Sequence, residues 1–152
     1  MMQIQKELPQ FNEAAALLLV TGTQEGVIYR ASQGTIEEVA RVKEETPHYS
    51  DREGFFASRG HGQTFATGAV RELDKGVVRK KFARAFVGKI RETAAGMPVA
   101  EVYIFSPRYT LPAIKSELPA EFQKILQGAF AGHYIDKHPF DLLRMIKEGR
   151  RP

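Results

Sequence analysis

Three groups of residues in this 152-residue chain have types and spacings that chemistry uses. The first is a run of cations, Lys80, Lys81, Arg84, Lys89 and Arg91, joined by Arg150 and Arg151 near the C-terminus. Such groups contact phosphates, and each contact steepens the salt dependence of binding. An ordinary solvated helix face has the same composition. The second group is aromatic: Tyr49, Phe55, Phe56 and Phe65. Rings of this kind stack on unpaired bases, or fold a loop back onto a core. The third is His133, Asp136 and His138. Helical metal ligands need i and i+4 spacing. These three fall across a strand end, where they would not converge, so they read as surface or capping groups and no metal is expected. The chain has no cysteine, which removes disulfides, thiolate zinc sites, iron–sulfur clusters and thiol catalysis together. P-loop, GxGxxG, HExxH and nucleophile-elbow motifs are absent, so no cofactor is expected.

The length suits a single domain spanning residues 1–152, with enough chain to bury roughly two thirds of its unfolded surface. The net charge of +4 is unevenly spread. Residues 1–74 hold 7 Lys/Arg and 11 Asp/Glu, whereas residues 75–152 hold 15 and 7. A basic second half suits a polyanionic partner, and equally a solvated surface. The longest apolar run, Ala14 to Val20, is seven residues and cannot span a bilayer. No membrane association is expected, and the chain reads as cytoplasmic.

The positioning elements follow from pattern. Residues 1–12 read as a polar lead-in. Ala14 to Thr21 is a strand, and Val27, Ile28 and Tyr29 begin another after a short turn, which predicts an antiparallel hairpin. Ile36, Val39 and Val42 suit a third strand of a meander, or a short helix. Residues 44–67 lose all period and carry Gly60 and Gly62, with Gly68 just beyond, so they read as a long Gly-rich loop. Val70 to Ala95 is one helix: Val78, Phe82, Phe86 and Ile90 step by four, and Lys80, Lys81, Arg84 and Arg91 fall on the opposite arc. Gly96 and Pro98 stop it.

Val99 to Phe105 is a buried strand, ended by Ser106-Pro107 because proline has no ladder N–H. Thr110 is placed to cap a helix with Pro112 in its first turn. The space beyond such a strand's carboxyl end is where sites gather in α/β sheets. Pro119 starts a helix to Gln127, Ala129 to Ile135 is a last strand, and Pro139 to Lys147 is a final helix before a basic tail, residues 148–152. The sum is an α/β fold, a mixed sheet of about five strands with helices packed on it.

Pro107, Leu111, Ile114, Lys115 and Leu118 reproduce a Pro-x-x-x-Leu-x-x-[Ile/Leu]-[Lys/Arg]-x-x-Leu spacing. An amphipathic helix follows, then a strand ending near His138-Pro139. In these features the chain resembles the bacterial host attachment family, described as required for attachment to host cells. That family is regarded as similar to the central domain of archaeal and eukaryotic peptide-chain release factors. The resemblance covers residues 14–146, and its sharp part runs from Phe105 to Pro139. Where family members often carry an Asp-Lys-Asp-Leu-Thr type of stretch, this chain has Gly132-His133-Tyr134-Ile135-Asp136.

Release factors carry a Gly-Gly-Gln loop tip before a basic helix, and its glutamine helps water attack the peptidyl-tRNA ester. This chain reads Ser58-Arg59-Gly60-His61-Gly62-Gln63, with His61 in place of the first glycine. Glycine suits such a tip because it tolerates positive φ and close approach to nucleic acid. The resemblance therefore implies a release-factor-like binding module for RNA or the ribosome, through Arg59, Gly60, His61, Gly62, Gln63, Lys80, Lys81, Arg84 and Arg91. It leaves two alternatives: a protein-interaction factor in surface attachment, or an ester hydrolase acting through Gln63.

Overall fold

Seven consecutive residues of one strand, Ala15–Thr21 (β2), are all buried. A strand covered on both faces needs no polar alternation, and β2 has none. It lies inside a six-stranded sheet of order β1-β4-β3-β2-β5-β6. The other strands are Met2–Gln3 (β1), Glu25–Ser32 (β3), Thr35–Lys43 (β4), Val99–Ser106 (β5) and Leu126–Ala131 (β6). The computed structural model describes residues 1–43 and 63–149, and of residues 63–76 the backbone only.

β2, β3 and β4 form an antiparallel meander, with Leu18 opposite Tyr29 and Ile28 opposite Ala40. β5 lies on the other side of β2 and runs parallel to it, Leu18 facing Tyr103, and β6 is parallel to β5. Parallel neighbours need crossovers. Helix α1 (Gln63–Ala94) supplies one; α2 (Leu111–Glu117) and α3 (Ala120–Gln123) supply the next, and α4 (Pro139–Gly149) closes the chain. The mixed α/β sheet expected from the sequence is therefore present.

Period two along β2 divides the core in two. Leu17 and Leu19 point to the face covered by α1 and α2, where they meet Phe82, Phe86, Ile90, Ile114 and Leu118. Ala16, Leu18 and Val20 point to the other face, against Leu142, Leu143 and Ile146 of α4. Burying each of these large side chains stabilises the fold by about 1.5–3 kcal/mol.

Several boundaries differ from the sequence expectations, for physical reasons. Residues 1–12 are no lead-in: β1 pairs with β4, and Ile4, Leu8 and Phe11 are buried in the core cluster that also holds Leu142, Leu143 and Ile146 of α4. Backbone bonds tie this segment to the β3–β4 turn, Ile4 N–H to the Gly34 carbonyl (2.7 Å) and Gly34 N–H to that of Gln10 (2.8 Å). That makes six strands where about five were expected. Helix α1 starts at Gln63 and not Val70, so residues 63–67 of the expected loop are helical; residues 44–62 lie outside the described residues. The helix after Pro119 stops at Gln123, and the last strand is Leu126–Ala131.

Thr110 does not cap α2. Its backbone is already helical (φ −93°, ψ −27°) and its side chain makes no capping bond. No donor is left for it. Thr110 and Leu111 N–H both go to the Pro107 carbonyl, Pro112 has none, and Ala113 N–H goes to the Thr110 carbonyl. The Thr110 hydroxyl is buried without a hydrogen-bond partner.

Candidate nucleic-acid interface

The described half of α1 is two-faced because its sequence is. Phe82, Ala83, Phe86, Val87 and Ile90 are buried against the sheet, within one arc of a 3.6-residue turn. Phe82 and Phe86 stack at 5.6 Å. Residue 26 on β3 must be glycine for this docking: a Cβ there would lie 2.4 Å from Phe86 Cε1. The azimuth of α1 is thus fixed by a ring seated on bare strand backbone.

That docking turns Lys80, Lys81, Arg84 and Arg91 outward, and all four are exposed. At 100° per residue they fall within an arc of about 100°, and Lys80 to Arg91 spans roughly 16 Å along the axis. Gly88 lies inside this arc, also exposed, with nothing within 4 Å of where its Cβ would be. Glu92 stands at its rim and pairs with Lys89 (3.3 Å). Lys89 itself is half-buried on the flank and does not belong with the other four. Arg84 Nε approaches Glu117 of α2 at 3.8 Å, a solvent-exposed contact worth at most about 1 kcal/mol. The arc is therefore a cationic surface held by a buried apolar stripe.

The carboxyl ends of β2 and β5 adjoin α1. Thr21 and Ser106, both fully buried, end these strands, and the Thr21 hydroxyl donates to Ser106 Oγ (2.8 Å). Beyond them the β5–α2 turn carries Tyr109. Arg79 of α1 sits over its ring at 5.0 Å from the centroid, and its hydroxyl is 3.4 Å from Thr23 Oγ1. Sequence reading missed this group. Thr23 and Arg79 lie 86 and 30 positions from Tyr109, and the sole signal was the proline turn that ends β5.

Of the other candidate residues, Arg59, Gly60, His61 and Gly62 lie outside the described residues, as do Tyr49, Phe55, Phe56, Arg150 and Arg151. Gln63 is the first residue of α1, with only its backbone described. Among the described residues no group of His, Asp and Glu could hold a metal ion. His138 has a capping role: its Nδ1 accepts from Phe140 N–H (3.0 Å) at the start of α4. The resolved pKa shifts lie elsewhere, on β3 and β4. Burial, with Glu38 beside it, raises the Tyr29 phenol, and a hydrogen bond to Glu38 raises Arg41. Among the described residues no helix is long and apolar enough to cross a membrane.

No family model matches the chain, and no curated protein matches it in sequence. Among solved structures, an archaeal protein superimposes with a TM-score of 0.52 at 12% identity, over 88% of this chain and 34% of its own. An archaeal translation termination factor gives 0.48 at 12% identity, over 90% of this chain and 40% of its own. An archaeal actin homolog gives 0.49 at 11%, over 97% and 52%. This chain spans between a third and about half of the length of these proteins. The first likeness is one of fold alone; the scores of the other two carry no further argument.

Proposed function

We propose that this chain is an RNA-binding module that engages structured RNA or the ribosome through the outer face of α1. The observation that carries the reading is the arc of Lys80, Lys81, Arg84 and Arg91, exposed together and aimed away from the sheet by Phe82, Phe86 and Ile90. Clustered cations on one rigid face are the footprint of a phosphate backbone partner. The resemblance to release-factor central domains, through the host attachment family, agrees with such a role.

The test is binding of the purified chain to labelled structured RNA and to ribosomes, between about 50 and 200 mM salt. If all four cations meet phosphates, affinity should fall roughly 50- to 150-fold over that range. Reversing Lys80 and Arg84 to glutamate should weaken binding and flatten the salt dependence. Reversing Arg144, exposed on α4 across the sheet, should change neither by a comparable amount. Unchanged binding in the Lys80→Glu/Arg84→Glu variant would overturn the reading. Failure of the wild type to bind RNA at low salt would leave a protein partner, as the host attachment resemblance implies.

A further inference from the structure

Among the residues whose side chains are described, Tyr109 is the one Phe or Tyr that is exposed, at 45%. The Pro107 carbonyl accepts from Thr110 N–H (3.0 Å), Leu111 N–H (2.9 Å) and Ser106 Oγ (3.2 Å), so three donors close the turn that carries Tyr109 on one carbonyl. A guanidinium, Arg79, already lies over the ring, and the next residue of α1 is Lys80, where the cationic arc begins. Arg108, the neighbour of Tyr109 in the turn, is exposed as well. A ring whose only task was to clip α1 to the turn would be covered. Tyr109 stays exposed although Arg79 lies over its ring, and it stands at the carboxyl end of parallel strands, where ligands of α/β sheets bind.

We propose that Tyr109 is a stacking platform for an unpaired base of single-stranded RNA, whose backbone continues onto Lys80 and Arg84. A base has a π-face whatever its sequence, so an exposed aromatic on a rigid turn holds it without reading its edge. Arg79 on the ring keeps the platform oriented and adds a cation beside the phosphates. The inference rests on the RNA reading above and adds the strandedness of the partner and the residue that senses it.

The experiment titrates the full chain into a labelled single-stranded oligoribonucleotide and into a duplex of equal length, at fixed salt. The proteins compared are the wild type, Tyr109→Phe and Tyr109→Leu. Loss of one base stack should weaken single-strand binding about 5- to 150-fold in Tyr109→Leu. Tyr109→Phe keeps the ring and should bind like the wild type, and neither variant should alter duplex binding. Thermal melting of both variants reports whether the turn survives. Should Tyr109→Leu fail to fold, photo-crosslinking of the wild type to a halogenated-uridine oligonucleotide replaces it, with Tyr109 as the expected adduct.

Equal single-strand affinity in wild type and Tyr109→Leu would overturn the platform while leaving the cationic arc standing. So would a Phe variant as weak as the Leu variant, which would mark the hydroxyl contact to Thr23 as the operative one. Adducts confined to other residues would overturn it too. A wild type that binds neither strand form removes the RNA reading itself, and the platform with it.

Discussion

Phe86 reaches β3 because residue 26 has no side chain. A Cβ at Gly26 would stand 2.4 Å from Phe86 Cε1, 2.6 Å from Cδ1 and 3.1 Å from Cζ. Carbon atoms sit comfortably at about 3.5–4.0 Å, so the ring would have to withdraw by about 1 Å. It has nowhere to go: Phe86 is fully buried and stacked on Phe82. Overpacking of this kind costs about 1–3 kcal/mol, and the size of the overlap puts Gly26→Ala near the upper end. Alanine loses less chain entropy on folding than glycine, which offsets about 0.5–1 kcal/mol, leaving a net loss of about 2 kcal/mol. Phe86→Ala alone should cost about 3–5 kcal/mol through the cavity it leaves. In the double variant the ring is gone, so the methyl added at position 26 meets no atom of it and should cost nothing or stabilise slightly. The expected coupling between the two sites is therefore about 2–3 kcal/mol, large for a pair. Urea unfolding of the four proteins, followed by far-ultraviolet circular dichroism, measures it. A penalty for Gly26→Ala that is the same in both backgrounds would refute the reasoning, since it would tie the glycine to the strand and not to the ring. The result bears on function as well: this contact sets which way the cationic arc of α1 faces.

Two further substitutions test the same reading at other points. Gly88 is exposed within the last third of α1 with open space where a Cβ would be, so Gly88→Ala should stabilise the chain by about 0.5–1 kcal/mol, seen as a higher urea midpoint at unchanged slope. Thr110→Val should be neutral or stabilise by about 1 kcal/mol, because it removes a buried hydroxyl that has no partner; a loss of about 1 kcal/mol, the usual cost of deleting a helix cap, would show that the hydroxyl is engaged after all.

What the sequence discloses, and what it withholds, follows from how burial is written into it. β2 and β5 were legible because a strand covered on both faces must be apolar throughout, and AALLLV and VYIF leave no other reading. α1 was legible where its stripe of Phe82, Phe86 and Ile90 recurs, and illegible at its start, because Thr64, Ala66, Thr67 and Gly68 carry no apolar period. A different limit hid the N-terminal segment. Ile4, Leu8 and Phe11 fall at i, i+4 and i+7, a helical spacing that Pro9 interrupts and the segment does not follow, and they join a core cluster with α4, at the far end of the chain. Thr110 shows the opposite error: the residue type promised a cap, but the backbone of the Pro107 turn had already taken up every donor.

The candidate interface divides along this line. Its cationic arc could be read in advance, because the apolar stripe fixes where the other face of one helix must point. Tyr109 and its partners could not, because no periodicity within a segment records which turn will meet which helix. For Tyr109 the fold alone brings Arg79, Thr23 and the cationic arc to one place, so a substitution there tests the tertiary arrangement, whereas one at Lys80 or Arg84 tests only the helix.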